Sequence, residues 1–222
     1  MIIIMLGAPG SGKGTLAKGL SEKYNVPHVS TGDMLREQIA QGDELGKQIA
    51  SLINKGNFVP DEMMYEILVK RLNKKDCLNG FILDGFPRDF NQIELLNEAL
   101  DKLGKKIDIV LNMELADEKI VERIFNRLVC QKCREIYNLK NKPPKVENIC
   151  DVCGAKLNKR KDDEPDVVRE RLKIYHNNCE EILNYYEKNS TIKNVISMEK
   201  LEDTLANAIK ILDEIEEKKW FI

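Results

Sequence analysis

Apolar positions follow two rhythms along this chain, and the rhythms alternate. Short unbroken runs, Ile2 to Leu6, Gly80 to Leu83 and Ile107 to Met113, predict buried strands, because they carry β-branched residues with few polar interruptions. Val26 with Val29, and Val195 to Ser197, predict two more. Between them the apolar spacing turns helical. A helix is expected from about Lys13 with Leu16, Ala17 and Leu20 inside, and another from about Met34, capped by Thr31 or Asp33. Its periodicity continues through Leu35, Ile39, Leu45, Ile49 and Ile53 with a break at Gly42. Lys55 to Pro60 reads as a loop, and Pro60 opens a helix with Asp61 and Glu62 in its first turn, burying Met64, Ile67, Leu68 and Leu72. Further helices are expected over Asp89–Leu103, Asp117–Val129, Asp166–Glu187 and Leu201–Lys218, and the lysine-rich end beyond adds nothing. Strand and helix in alternation predict an α/β fold on a parallel sheet, with no internal repeat.

The first strand runs straight into Gly7-Ala8-Pro9-Gly10-Ser11-Gly12-Lys13-Gly14-Thr15. A strand, a glycine-rich turn and a helix opening at a lysine make a phosphate cradle, since the loop and the helix N-terminus both present amides. The ordinary pattern has Ser or Thr directly after the lysine. Here Gly14 stands there, and the hydroxyl comes one place later, at Thr15. The run ending in Asp84 puts a carboxylate at a strand tip, where phosphate-loop folds hold magnesium directly or through water.

Composition narrows the partners. The 222 residues suffice for one large domain or a core with inserted lobes, and 35 basic side chains face 37 acidic ones. That near balance gives no support to nucleic-acid or membrane binding. The apolar start is too short for a signal peptide, and no stretch approaches the ~20 apolar residues that span a bilayer, so a cytoplasmic protein is expected.

From Cys130 to Cys153 the chain changes character, with Lys, Asn and Pro replacing aliphatic residues. Cys130-x-x-Cys133 and Cys150-x-x-Cys153 have the spacing of a four-cysteine zinc site, with free thiols or disulfides as the alternative. Four protein ligands leave no open position, so such a zinc is structural, worth roughly 10–16 kcal/mol of folding energy. Lys132, Arg134 and Lys140 would suit a nucleic-acid ribbon, but Glu135, Glu147 and Asp151 offset them. Cys77, Cys179, His28 and His176 receive no chemistry. Phosphoryl transfer needs cations converging on the moving group. The candidates are Lys13, Arg36, Arg88, Arg123, Arg127, Arg160 and Arg171, with Arg123 and Arg127 expected on one helical face at i and i+4.

These motifs together resemble a known family. GAPGSGKGT at Gly7, STGDMLR at Ser30, KGNFVPDE at Lys55, GFILDGFPR at Gly80, Gln92, the cysteine quartet, PPKVENIC at Pro143 and RKDDEPDVVRERL at Arg160 resemble adenylate kinase of the bacterial-type long form with a zinc-bearing lid. The Gly14 variant of the loop is that family's own form. The resemblance implies a P-loop NTPase core with a parallel five-stranded sheet flanked by helices, formed by residues 1–29, 60–125 and 164–222. It also implies a helical NMP-binding lobe at 30–59 and a small zinc-containing lid at 126–163.

The implied reaction moves the terminal phosphoryl group of ATP to AMP, giving two ADP for adenine nucleotide homeostasis. Mg2+ would accompany ATP and Zn2+ would sit in the lid. Lys13, Arg88, Arg127, Arg160, Arg171 and Asp84 would be catalytic. ATP would meet Gly10, Ser11, Gly12, Lys13, Gly14 and Thr15, then Arg123, Arg127, Ile136 and Tyr137. AMP would meet Thr31, Arg36, the backbone of Asn57, Phe58 and Val59, then Gly85, Phe86, Pro87, Arg88 and Gln92, with Arg160 and Arg171 reaching across both substrates. The Gln92 amide suits an adenine edge. Near the last strand the family usually has a glycine where this chain has Met198 and Glu199, and Glu199 is carried as a contact to the ATP base. Free nucleotides, no nucleic acid, no membrane and a monomeric state complete the expectation. Gln92 and Thr31 favour AMP over a pyrimidine acceptor, and the cysteines count against the GTP-using relatives.

Overall fold

A computed structural model describes residues 1–54, 57–190 and 192–219. Lys55 and Gly56 of the predicted loop, and the last three residues of the tail, lie outside the described residues. Five parallel strands form the main sheet: β1 (Ile2–Gly7), β2 (His28–Ser30), β3 (Phe81–Asp84), β4 (Ile109–Glu114) and β8 (Ile192–Ile196). Their spatial order is β2-β3-β1-β4-β8. A second, three-stranded antiparallel sheet holds β5 (Arg127–Cys130), flanked by β6 (Ile136–Asn138) and β7 (Leu157–Asn158).

The alternation within β1 decides how the main sheet is covered. Ile2, Ile4 and Leu6 face one side, and Ile3 and Met5 the other. On the first side they meet α4 (Asp61–Leu72), α5 (Phe90–Lys102) and α7 (Pro165–Asn189) through Leu68, Leu96 and Tyr186. On the second they meet α1 (Lys13–Tyr24) and α8 (Leu201–Lys219) through Leu16, Leu20, Ala208 and Leu212. Both faces are therefore dry, as a parallel sheet requires. Of the remaining helices, α2 (Thr31–Gln41) and α3 (Glu44–Ile53) join the first side through Leu35 and Ile49, and α6 (Asp117–Phe125) packs Ile120 and Ile124 against Val168 and Leu172 of α7. The chain leaves β1 in one direction for β2 and β3 and in the other for β4 and β8. That reversal opens a crevice beyond the carboxyl ends of the strands.

Two local expectations need correction. The cap of α2 is Ser30, whose hydroxyl accepts from the Asp33 amide at 3.3 Å, and neither Thr31 nor Asp33 fills that role. The helix expected through Val129 ends at Phe125, so Arg123 and Arg127 do not share a helical face: Arg127 opens β5. No helix among the described residues is long and apolar enough to cross a membrane.

Candidate active site

The glycine loop joins β1 to α1. Gly12 sits at the helix entry with φ +104°, a left-handed conformation that costs a side-chain-bearing residue but not glycine. Lys13 curls back, and its Nζ donates to the carbonyls of Gly7 and Ala8 at 2.7 and 2.8 Å. The Ser11 hydroxyl is buried with no partner in the protein. A Cβ on Gly14 would lie 3.2 Å from Oδ2 of Asp84. A side chain at Gly14 would therefore crowd the β3 carboxylate.

Across from the loop, the tips of β2 and β3 supply a second set of groups. β2 and β3 pair in parallel with Ser30 beside Asp84, which brings Thr31 to the turn that follows β3. The Thr31 hydroxyl lies 2.9 Å from the Gly85 carbonyl and 3.2 Å from that of Asp84. Gly85 takes φ +87°, and the Phe86–Pro87 bond after it is cis. Arg88 Nε donates to the Gly85 carbonyl at 2.7 Å, and its guanidinium lies over the Phe58 ring, 5.0 Å from the centroid. Gln92, on the first turn of α5, is buried, with its Oε1 accepting from the Arg88 amide at 2.9 Å.

One cavity of about 750 Å³ joins these parts. Gly10, Gly12, Lys13, Gly14 and Thr15 line it from the loop, and Asp84 lines it from β3. Thr31, Arg36, Asn57, Phe58, Val59 and Gly85 to Arg88 with Gln92 line its other end. Arg123, Arg127, Ile136, Arg160, Arg171 and Glu199 complete it. Two predicted residues are not brought to its wall. Ser11 faces inward from the loop. Tyr137 alternates with Ile136 along β6 and is buried inside the small sheet, where its hydroxyl accepts from the Asp151 amide at 2.7 Å.

The electrostatics are those of cations gathered without their counter-ion. Burial pushes the Lys13 ammonium down to about 8, and Arg88, Arg171 and Arg127 push the same way while Asp84 opposes them. Burial and the charge of Arg171 bring Arg88 to about 10, and burial with Arg127 and Arg36 brings Arg160 to about 9. Arg160 Nε has no partner. Burial alone would raise the Asp84 carboxyl. The hydrogen bond from His28, whose Nε2 lies 3.4 Å from Oδ2, outweighs it together with the charges of Lys13 and Arg88, and holds it below the usual range. Carboxylates steady some of the arginines. Arg127 makes a two-pronged pair with Asp163, Arg171 NH1 donates to Asp162 Oδ2 at 2.9 Å, and Arg36 NH2 donates to Asp33 Oδ1 at 2.7 Å. Arg123 is spent on the frame: it donates to the Ser11 carbonyl, the Ser197 hydroxyl and, at 2.9 Å, the Met198 carbonyl.

The four cysteines of the small sheet come together. Their sulfurs all lie within 4.8 Å of one another. Cys130 and Cys153 are 3.4 Å apart at sulfur, and Cys133 and Cys150 are 3.5 Å apart. Sulfurs at ~2.3 Å from a tetrahedral zinc would stand about 3.8 Å apart, so the quartet fits that ion. Each turn closes in the same way: Arg134 N returns to the Cys130 carbonyl and Gly154 N to that of Cys150, with Arg134 and Gly154 both at positive φ.

Sequence reasoning missed His28, Asp33, Asp162 and Asp163 as partners of the site. Asp33 and Arg36 stand at i and i+3 on α2, a readable pairing. Nothing in the sequence ties His28 to Asp84, because only the parallel pairing of β2 with β3 brings them together.

A family model described as adenylate kinase matches residues 5–191. The chain is 45% identical over 212 residues to an adenylate kinase of Caldicellulosiruptor bescii, covering 96% of this chain and 99% of that one. It is 46% identical over 215 residues to one from Archaeoglobus fulgidus, covering 97% and 99%. A third, from Fervidobacterium nodosum, is 44% identical over 218 residues, covering 98% and 100%.

Proposed function

The chain belongs to the adenylate kinase family, enzymes that transfer the terminal phosphoryl group of ATP to AMP to give two ADP, and we propose how its own residues divide that work. The observation that carries the assignment of roles is the convergence of Lys13, Arg88, Arg127, Arg160 and Arg171 on one cavity between the glycine loop and Asp84. Burial first, and then their mutual charge, disfavours the charged forms of Lys13, Arg88 and Arg160, and an anion such as phosphate would offset both.

In this reading the backbone amides of Gly10, Ser11, Gly12, Lys13, Gly14 and Thr15 hold the donor phosphates. Arg123 braces the loop against β8 while Ile136 and Glu199 flank the donor base. Thr31, Arg36, the backbone of Asn57 to Val59, Gly85 to Arg88 and Gln92 hold AMP. An AMP phosphate oxygen forms the new bond to the γ-phosphorus as the bond from that phosphorus to the β-bridging oxygen breaks. ADP leaves with the electron pair, and the acceptor becomes the second ADP. The attacking phosphate is already anionic, so no general base is needed, and catalysis is positioning and charge stabilisation. Lys13, Arg88, Arg127, Arg160 and Arg171 supply that charge. Asp84, held anionic beside Lys13 and Arg88, would suit magnesium bound with ATP, which would supply charge neutralisation of the phosphate oxygens. The cysteine quartet fits a structural zinc that stiffens residues 126–163 as a lid over ATP, with 30–59 as the AMP lobe and the remainder as the core. Lid closure excludes water, the competing nucleophile. A cytoplasmic monomer working on free nucleotides is the form this reading implies.

The test mixes the protein with ATP, magnesium and each nucleoside monophosphate in turn and follows ADP. AMP is the expected acceptor, and no ADP from AMP would sink the reading. Lys13→Ala and Arg88→Ala should each lower kcat by about 10²-fold or more with unchanged circular dichroism. A near-parental rate in either would remove that residue from the machinery.

A further inference from the structure

Gln92 has an amide that can point either way, and adenine is told from hypoxanthine by the direction of donor and acceptor. The structure ties that amide at both ends. Its Oε1 accepts from the Arg88 amide at 2.9 Å, and its Nε2 donates to Asp61 Oδ1 at 2.8 Å. A backbone N–H can only donate and a carboxylate can only accept, so the two partners allow one orientation of the amide. One N–H and one oxygen lone pair of Gln92 are then left for a ligand. Its backbone is pinned as well, since Gln92 N donates to Asp89 Oδ1 at 2.9 Å.

Asp61 stands at the first position of α4, while Gln92 is on α5. Gln92 lines the cavity and Asp61 is absent from its wall. The other Asp61 oxygen accepts from Asn91 Nδ2 at 2.5 Å, which fixes the carboxylate in turn. Gln92 is buried, so an amide group left without its partner there would carry a desolvation cost.

We infer that Asp61 is a positioning residue for acceptor-base selection: it sets the direction of the Gln92 amide, and through it the preference for a 6-amino over a 6-oxo purine monophosphate. AMP offers an exocyclic N–H donor beside the ring acceptor N1. Inosine monophosphate reverses both, with an oxygen acceptor beside an N1–H donor. An amide held one way matches the first edge and opposes the second. This inference rests on the placement of Gln92 against the acceptor base proposed above.

The test measures kcat/KM for AMP and for inosine monophosphate in the parent, Asp61→Asn, Gln92→Ala and the double variant. Asp61→Asn keeps the size of the side chain but can donate as well as accept. The AMP-over-IMP ratio should fall by about tenfold. KM for AMP should rise while KM for ATP stays, and the double variant should discriminate no worse than Gln92→Ala alone. Asp61→Glu, which restores the carboxylate, should recover part of the ratio. If Gln92→Ala loses discrimination and Asp61→Asn keeps it, Asp61 does not direct the amide. An Asp61→Asn enzyme with a lower melting temperature and an unchanged ratio makes Asp61 a helix-end residue only, and overturns the inference equally. If both single variants keep the parental ratio, Gln92 does not read the base, and the reading beneath the inference fails first.

Discussion

At the scale of single residues, charge and space at the glycine loop make two predictions. Lys13 titrates near 8 in the free protein, below its ordinary 10.5, chiefly because of burial. Its charged form is therefore disfavoured by folding. Between the two values the unfolded chain holds a proton that the folded one lacks, so this group's contribution to stability rises with pH across that window. Nucleotide binding reverses the balance, since phosphate restores the charged form. Binding should take up protons at about pH 9 and almost none at about pH 6.5, and apparent affinity should weaken above pH ~8. Calorimetry in buffers of contrasting ionisation enthalpy reads that uptake directly, and Lys13→Met should remove the larger part of it, with Arg160 supplying the remainder. An uptake independent of pH, or retained in full in the variant, would remove Lys13 as its main source. The second prediction concerns Gly14. Restoring the common hydroxyl by Gly14→Thr should impair the enzyme, because the added Cβ arrives 3.2 Å from the Asp84 carboxylate. The expected cost is about 1–3 kcal/mol of stability with a clear loss of turnover. A variant as stable and as fast as the parent would show that Asp84 can step aside. The glycine's presence was legible from the sequence, and so was the family it marks. Its closeness to Asp84 was not, because Asp84 lies seventy residues further along the chain.

Among the elements, what could be read follows from how local the deciding forces are. The central strands β1, β3 and β4 announce themselves because they are buried along nearly their whole length and read as apolar runs, whereas the edge strands β2 and β8 each bury a single residue. The end of α6 misleads for the opposite reason. Ile120, Ile124 and Leu128 keep i+4 spacing, so helical periodicity continues past Phe125 in the sequence. Pairing overrides it: Leu128 lies opposite Tyr137 in β6, Cys130 opposite Leu157 in β7, and the small sheet takes the strand. Its core is only Leu128, Tyr137, Leu157 and buried cysteine, too little apolar surface to hold by itself. The cysteine quartet was legible from spacing alone, whereas the paired left-handed turns at Arg134 and Gly154 needed the structure. Metal removal should then act on this element first. A chelator strong enough to strip zinc, or Cys150→Ser, should lower the melting temperature by about 10 °C and depress turnover with ATP. Metal analysis should find one zinc per chain before treatment. A chain purified without zinc and melting as the metal-loaded form does would leave the small sheet held by side-chain packing alone.

Across the whole molecule, the small sheet touches the core through charge. Glu135, in the first cysteine turn, is paired with Lys18 of α1 and, at 2.5 Å, with Lys142 of its own sheet. It is nearly buried, whereas Lys18 is half exposed. Lys18 projects from the helix that begins at the phosphate loop, so in the lid motion proposed above this pair forms on closure. A partly exposed ion pair is worth about 0–1 kcal/mol and is screened by salt. Its effect on the open–closed balance is therefore a few-fold at most, enough to tune closure and too weak to hold the lid shut. Lys18→Met and Glu135→Gln should each raise KM for ATP by about two- to fivefold at low ionic strength, and the difference from the parent should vanish near 1 M salt. In the double variant the two effects should not add, because they remove the same contact. If lid opening limits turnover, kcat should rise as KM does, since the same contact that favours closure delays release. KM values equal to the parent's at low salt would mean that the lid closes on the charge of ATP alone, drawn down by Arg127 and Arg160 without help from α1.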